Sequence, residues 1–278
     1  MKYYFATILA ICLWGSSFIG TKFAYASFTP IFTCFLRFLI AFIVLFIMRL
    51  FTRKENVTKQ DHLWIALTAL LGISLYYVLE NIALSFTSSS YASLITGSYP
   101  AMSIAIGFLF FHEKLTKKMV AGIGIALLGV AILSNVQGSS NLLGNCILIF
   151  DGVLWGLYNY IIPKVNTKYN VITITYYQTL YGILFLLPIL FFDQHIIGSI
   201  TMGSMTAIIF LAVGCSALAY VLYTYGLRKV SCATAASLMN VMPILGVVLS
   251  YLLLNETITL LQGFGGILII LGVMISNT

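Results

Sequence analysis

Long apolar runs alternate with short polar segments along the whole chain. A helix that crosses about 30 Å of hydrocarbon needs about twenty apolar residues, so each run predicts one transmembrane helix. The polar segments are brief, as at Thr29-Pro30 and Asp193-Gln194-His195, and leave no room for a soluble domain. Runs of the required length lie near residues 3–23, 29–50, 63–84, 88–110, 119–136, 143–163, 170–192, 202–226, 231–254 and 260–276. The pattern predicts an all-α integral membrane protein with ten transmembrane helices.

The composition indicates that the chain is solvated by lipid. Of the 278 residues, 61% are hydrophobic and 8% are charged, whereas a soluble domain carries about 25% charged residues. The lipid bilayer is therefore a predicted partner. The net charge of +7 is spread over short loops rather than gathered into a basic domain, which argues against a nucleic-acid partner.

The basic residues predict the orientation of the helices. If the N-terminus is cytoplasmic, twelve of the fourteen lysines and arginines fall on the cytoplasmic side, while Lys22 lies outside and Arg37 lies within a helix. The cytoplasmic set is Lys2, Arg49, Arg53, Lys54, Lys59, Lys114, Lys117, Lys118, Lys164, Lys168, Arg228 and Lys229. This bias satisfies the positive-inside rule. It predicts a multi-pass protein of the cytoplasmic membrane with both termini inside.

The two halves of the chain are related in sequence. A shift of 143 residues places Tyr77 on Tyr220, Pro100 on Pro243 and Glu113 on Glu256, and a shift of 141 places Trp14 on Trp155. The predicted repeats span residues 1–137 and 138–278. Because each holds five helices, an odd number, the second repeat must be inverted in the membrane. Inverted repeats are typical of secondary transporters, whose substrate site lies between the halves near the midplane.

The order of the short motifs resembles that of one transporter family. The motifs are Trp14-Gly15-Ser16-Ser17-Phe18, Arg37-Phe38, Asn81-Ile82-Ala83-Leu84, Ala92-Ser93-Leu94-Ile95, Pro100 and Glu113-Lys114-Leu115-Thr116, and in the second half Trp155-Gly156, Ala235-Ala236-Ser237-Leu238, Pro243 and Glu256-Thr257. In this order the chain resembles the EamA-type transporters of the drug/metabolite transporter superfamily. The resemblance implies a carrier that works by alternating access, often proton-coupled, on amino acids, other metabolites, nucleotide sugars or small organic cations. Glu80 and Asp151 depart from the family pattern.

Three ionisable side chains are predicted deep in the membrane. An ionised group at the bilayer centre costs roughly 2.5–3.5 kcal/mol on insertion scales, so Arg37, Glu80 and Asp151 each need a partner or a task. The two carboxylates are candidate proton sites or counter-ions for a cationic substrate, or else they pair with Arg37 and tie helices together. For Arg37 we favour helix pairing over binding of a substrate carboxylate.

Aromatic residues recur at matching places in the two halves. Trp14, Trp155, Tyr77 and Tyr220 are duplicated by the repeat, and Tyr158 shares a helical face with Trp155 and Asp151. Such rings with one carboxylate would suit an ammonium group through cation–π attraction, or an aromatic amino acid through stacking. The alternative for each ring is packing.

Prolines and glycines indicate kinks and close helix contacts. Pro100 and Pro243 are predicted to bend their helices, either as fixed bends or as gating points whose freed carbonyls, with Asn240, meet the substrate. The pairs Gly152 with Gly156 and Gly122 with Gly129 indicate close helix packing, within the chain or at a homodimer seam. For the matched acidic residues Glu113 and Glu256, we favour helix capping or pairing within a loop over a gate.

The sequence carries no signature of an enzyme. It has no His-Glu-x-x-His, no Gly-x-Ser-x-Gly and no ATP-binding loop, and no cysteine or histidine pair has metal-ligand spacing. We therefore predict a transporter of a small molecule without a cofactor or a metal. Amino acids and related zwitterions rank ahead of organic cations as substrates, and a channel or a membrane enzyme ranks below both.

Overall fold

The computed structural model describes residues 1–134, 141–193, 196–230, 234–235 and 238–276. The predicted repeat boundary at 137 and 138, together with His195 and Cys232, lies outside these residues. Within them the fold is all-helical, and the one β-type contact is an isolated antiparallel bridge between Phe28 and Ile196. The helices are α1 Lys2–Ala24, α2 Pro30–Leu50, α3 Lys59–Phe86, α4 Ser89–Phe111, α5 Lys117–Ser134, α6 Leu142–Asn166, α7 Val171–Leu190, α8 Met202–Gly226, α9 Val241–Leu254 and α10 Leu260–Ser276.

Seven of these helices are long and apolar enough to cross a membrane, namely α1, α2, α3, α4, α6, α7 and α8. The other three, α5, α9 and α10, are apolar helices of 18, 14 and 17 residues. Large apolar side chains such as Ile43, Phe46 and Ile47 lie about half exposed on the outside of α2. Lipid is the solvent that such a surface requires.

Each predicted apolar run coincides with a helix, and most ends agree within a few residues. For the run predicted over residues 231–254, α9 begins at Val241 and the described residues 234, 235 and 238 ahead of it are also helical, while residues 231–233 and 236–237 lie outside the described part of the chain. Two helices also contain π-helical segments that the apolar pattern does not reveal, Leu70–Leu75 in α3 and Phe210–Leu218 in α8. A π-helical turn holds one extra residue and is frequent at functional sites.

The sequence predicts that Pro100 and Pro243 lie inside helices. The structure instead places each of them in the first turn of a helical segment. Helix α4 is interrupted at Gly97 and Ser98, and its second part, Tyr99–Phe111, begins just before Pro100. Pro243 is the third residue of α9. The first N–H groups of a helix have no intrahelical partner, so proline there removes no hydrogen bond. The interruption of α4 therefore lies at Gly97 and Ser98, ahead of the proline.

Helices α5 and α10 pack with their backbones in contact. A Cβ atom on Gly122 would lie 2.4 Å from the carbonyl oxygen of Gly272, and one on Gly129 would lie 2.6 Å from that of Gly265. Only glycine allows such an approach, as in the small-residue contacts of membrane helices. Gly122 and Gly129 thus face a helix of their own chain rather than a dimer seam.

Gly152 and Gly156 also make contacts within the chain. A Cβ on Gly152 would lie 2.3 Å from the sulfur of Met102, and one on Gly156 would lie 3.1 Å from Ile106. Both neighbours belong to α4, so these glycines allow α6 to pack against α4. A homodimer stays a prediction, but these glycines contact their own chain and so do not form its interface.

Polar side chains close two helix ends near α9. The Glu256 carboxylate accepts hydrogen bonds from the backbone N–H groups of Ser89 (3.0 Å) and Ser90 (2.9 Å), which lie in the first turn of α4. Lys22 donates from Nζ to the carbonyl oxygens of Leu84 (2.5 Å) and Thr87 (2.7 Å), where α3 ends. These contacts confirm capping for Glu256, because each satisfies backbone groups left without helical partners. The matched Glu113 instead accepts a hydrogen bond from the hydroxyl of Tyr160, at 2.6 Å.

Candidate functional site

A small cavity lies where α1, α3, α4, α6 and α9 converge. Its free volume of about 20 Å³ is roughly what one water molecule requires, so the cavity is closed to any larger compound in this conformation. Half of its described lining side chains are aromatic, and hydroxyl groups, two methionines and one carboxylate complete it. The lining residues are Trp14, Ser17, Tyr76, Tyr77, Glu80, Thr96, Tyr99, Trp155, Met239 and Met242.

The duplicated aromatic residues meet at this cavity. The Trp14 and Trp155 rings are edge-on, with centroids 5.5 Å apart and planes at 88°. Trp14 also contacts Tyr220 edge-on at 5.3 Å, and its Nε1 donates to the carbonyl oxygen of Cys215 at 2.9 Å. That hydrogen bond fixes the indole and anchors α1 to α8. Edge-on pairs are the preferred aromatic geometry, so the walls are packed rather than loose.

Tyr158 and Tyr220 lie behind the cavity walls rather than on them. Tyr158 stacks on Trp155, with centroids 5.1 Å apart and planes at 19°. The Tyr220 hydroxyl donates to the carbonyl oxygen of Gly72 at 2.5 Å, within the π-helical segment of α3. A Cβ on Gly72 would lie 2.4 Å from the Tyr158 ring. In this conformation the two tyrosines support the rings that line the cavity, and their roles in substrate binding stay predictions.

Glu80 is the charged side chain on the described cavity wall. It is 3% exposed, and its Oε1 accepts a hydrogen bond from the Tyr76 hydroxyl at 3.1 Å. Tyr76 and Glu80 are four residues apart on α3, which places them on the same helix face. One neutral donor compensates little of the cost of burying an ionised carboxylate. A cation or a proton in the cavity would supply the rest.

Asp151 reaches the cavity through a tyrosine. Its carboxylate is fully buried on α6, and Oδ2 lies 3.4 Å from the hydroxyl of Tyr99, which lines the cavity. Its Oδ1 has no hydrogen-bond partner among the described residues. Asp151 is therefore one residue removed from the cavity, whereas Glu80 is on its wall.

Arg37 is a buried cation that makes no ion pair within the described part of the chain. Its Nε donates to the Ser216 hydroxyl at 2.8 Å, and its guanidinium carbon lies 4.3 Å from the centroid of the Tyr77 ring. The predicted pairing with Glu80 or Asp151 is absent from this conformation. Cation–π attraction is worth about 0.5–2 kcal/mol, and each unsatisfied buried donor costs about 1–3 kcal/mol. The contacts of Arg37 thus leave its burial only partly offset.

Asn240 and the two prolines lie beside the cavity without lining it. Asn240 is buried next to Met239, and its side-chain oxygen has no partner among the described residues. Pro243 packs where α4 is interrupted, since a Cβ on Gly97 would lie 3.0 Å from its Cγ. The interruption of α4 and the first turn of α9 thus touch each other. Roles for Asn240, Pro100 and Pro243 in binding or gating stay predictions.

Several lining residues are not among those that the sequence singles out. Tyr99 and Thr96 on α4, and Met242 and Met239 at α9, complete the cavity. The shift of 143 residues places Thr96 on Met239 and Tyr99 on Met242. Because the members of each pair differ in chemistry, the repeat register alone does not single them out.

Comparisons with known proteins agree on one family. A model of the EamA-like transporter family matches residues 1–135 and again residues 142–278. An uncharacterized transporter of Archaeoglobus fulgidus is 27% identical, over 97% of this chain and 95% of that one. A protein of Salmonella typhimurium named as a probable amino-acid metabolite efflux pump is 27% identical over 98% and 93% of the two chains. A protein of Streptantibioticus cattleyicolor named as a probable terminal-alkyne amino-acid exporter is 24% identical over 99% and 93%.

A solved crystal structure has the same fold. It superimposes with a TM-score of 0.73 at 17% sequence identity, over 99% of this chain and 98% of the other. At that identity the likeness concerns the fold alone.

Proposed function

Because the chain belongs to the EamA-like transporter family, we propose that it is a secondary transporter that moves an amino acid or a related zwitterion across the cytoplasmic membrane. The observation that carries the proposal is the closed aromatic cavity with Glu80 on its wall. Two relatives, one named as a probable terminal-alkyne amino-acid exporter and the other as a probable amino-acid metabolite efflux pump, support the substrate class.

The proposed architecture is ten membrane-crossing helices in two inverted repeats, with both termini cytoplasmic. Three symmetric features support it. Gly122 is the repeat counterpart of Gly265, and Gly129 is the counterpart of Gly272. Gly122 lies against Gly272 and Gly129 lies against Gly265, as a two-fold axis between α5 and α10 requires. The π-helical segments of α3 and α8 fall at matching places. His112 and Asn255, also counterparts, both end their helices with positive φ, 56° and 54°.

This topology predicts which loops face each side of the membrane. In a cysteine-free background, Asn56→Cys after α2 should react with a membrane-impermeant maleimide only after the cells are opened. Ile200→Cys, which is 56% exposed between α7 and α8, should react in intact cells. Labelling by mass shift on gels checks both. The reverse pattern would overturn the orientation, and equal labelling of both would overturn the helix count.

The small volume of the cavity limits how the proposed transport can proceed. A space for one water molecule cannot hold an amino acid, so the lining helices must part toward one side to admit substrate and toward the other to release it. The interruption of α4 and the π-helical segments are the places where α4, α3 and α8 can bend. Inside, the substrate ammonium faces Glu80 and the aromatic rings. When no cation is bound, a proton on Glu80 would neutralise the site, which permits proton coupling.

An organic cation is the second candidate substrate. The observation that favours it is the charge of the cavity wall, which carries the Glu80 carboxylate and no cation among the described lining residues. The positive charge of an amine or quaternary ammonium compound would be balanced by Glu80 and the rings, whereas the carboxylate of a zwitterion would have no cationic partner among the described lining residues.

Electrical recording on reconstituted protein tests the proposal. Liposomes on a solid support should give saturable currents with aromatic amino acids, measured beside choline-like cations and polyamines. In Trp155→Ala the concentration for half-maximal current should rise about 10-fold, because an aromatic wall with its cation–π and packing contributions is lost. Trp64→Ala is the matched control, since Trp64 contacts Lys164 away from the cavity. Non-saturating currents would indicate a channel, and silence with folded protein would contradict both substrate classes.

A further inference from the structure

Arg37 lies directly behind one wall of the cavity. The Tyr77 ring lines the cavity, and the Arg37 guanidinium carbon is 4.3 Å from the ring centroid. Arg37 is 0% exposed, and neither Nη1 nor Nη2 has a hydrogen-bond partner among the described residues. One aromatic ring thus separates the cavity from two unsatisfied donors of a buried cation.

The two free donors have the geometry that recognises a carboxylate. Guanidinium groups bind carboxylates through two parallel N–H···O bonds, and in Arg37 the remaining Nε is already used by Ser216 at 2.8 Å. The cavity wall carries an anionic partner for an ammonium group, Glu80, but no cation for a carboxylate among the described lining residues. Arg37 would supply the cation that binds the carboxylate of a zwitterion.

Two of the contacts that hold Arg37, those with Tyr77 and Ser216, lie at irregular helix segments. Tyr77 is the second residue after the π-helical segment Leu70–Leu75, and Ser216 lies within Phe210–Leu218. When a π-helical turn shifts by one residue, side chains beside it turn by about 100° around the helix axis. Such a shift in α3 would carry the Tyr77 ring off the guanidinium.

We propose that Arg37 is a latent carboxylate-binding site, covered by Tyr77 in this conformation and exposed to the cavity when α3 changes register. This inference rests on the proposed transport of zwitterions. A zwitterion would then bind at two points, with its ammonium group at Glu80 and its carboxylate at Arg37. An amine without a carboxylate would use only the first point.

A pair of compounds that differ by one carboxylate tests the proposal. Phenylalanine and phenethylamine are compared in the current assay for the parent, Arg37→Gln, Arg37→Lys and Arg49→Gln. In Arg37→Gln the concentration for half-maximal current should rise about 10- to 100-fold for phenylalanine and less than about 2-fold for phenethylamine. Arg37→Lys should lie between, because an ammonium cannot bind bidentately. Arg49, which also sits on α2 over tyrosine rings, is the matched control and should change neither.

The opposite outcomes are distinct. Equal losses for both compounds in folded Arg37→Gln would mean that Arg37 only holds helices together, and would overturn the proposal. If Arg37→Gln does not fold, the change in half-maximal concentration for phenylalanine, relative to that for phenethylamine, is measured in Arg37→Lys instead. If the parent moves neither compound, the proposed function fails, and phenylacetate binding by tryptophan fluorescence decides this inference separately. Saturable phenylacetate binding that weakens in Arg37→Lys supports the carboxylate-binding site. If phenylacetate does not bind to the parent, the proposal is overturned.

Discussion

Replacing Glu80 by glutamine is expected to raise the half-saturating concentration for a cationic or zwitterionic substrate about 100-fold. Removing one partner of a buried charge pair costs about 2–5 kcal/mol, and about 2.8 kcal/mol corresponds to 100-fold. The substitution keeps the shape of the side chain and leaves an oxygen for the Tyr76 hydroxyl, which lies 3.1 Å from Oε1. The protein should therefore fold as the parent does. Solid-supported-membrane currents over a range of substrate concentrations measure the effect.

Glu113→Gln is the matched control for Glu80→Gln. It makes the same change of charge at an exposed position, where Glu113 accepts a hydrogen bond from Tyr160 outside the cavity, and should leave the currents unchanged. If Glu80→Gln keeps its substrate response but loses the dependence of the current on pH, then Glu80 is a proton site rather than a counter-ion. Parent-like currents at every pH would show that Glu80 has no part in transport.

Replacing Gly122 by alanine is expected to destabilise the protein, and replacing it by leucine to prevent accumulation of folded protein. The alanine Cβ would lie 2.4 Å from the carbonyl oxygen of Gly272, a backbone atom that cannot move without displacing α10. Overpacking of this kind costs about 1–3 kcal/mol for a single methyl group. Thermal unfolding in detergent, followed by the amount of monodisperse protein after heating, measures the change.

Gly124→Ala is the control on the same helix. No atom lies within 4 Å of a Cβ built on Gly124, so the added methyl group should cause no loss of stability, and alanine is the better helix former. If Gly122→Ala and Gly124→Ala unfold at the same temperature, α5 and α10 do not pack backbone to backbone as described.

The cavity residues that the sequence alone can identify are those whose residue type is the same in both repeats. Trp14 and Trp155 are the clearest pair, because matching positions in two inverted halves lie at symmetric places about the axis between them. Their rings meet at 5.5 Å. Thr96 and Met239 occupy equally symmetric places but differ in chemistry, so residue type alone gives no reason to select them.

The surroundings of Arg37 were beyond sequence reasoning for another reason. Its depth in an apolar run was evident, and an acidic partner was the expected solution. The structure instead uses the Tyr77 ring and the Ser216 hydroxyl. Which groups meet a buried charge depends on how α2, α3 and α8 are rotated against one another, and two π-helical segments change that rotation.

The sequence by itself determined that this is a helical membrane protein, where most of its helices lie and which family it belongs to. Hydrocarbon thickness dictates the length of each apolar run, and that constraint is read along one segment at a time. Only the tertiary structure decided which helix faces touch, that Gly122 meets Gly272, and that the cavity is closed around Glu80. In lipid the outer and inner faces of a helix are both apolar, so no amphipathic pattern distinguishes them. Their pairing is decided by shape, which appears only when the helices are together.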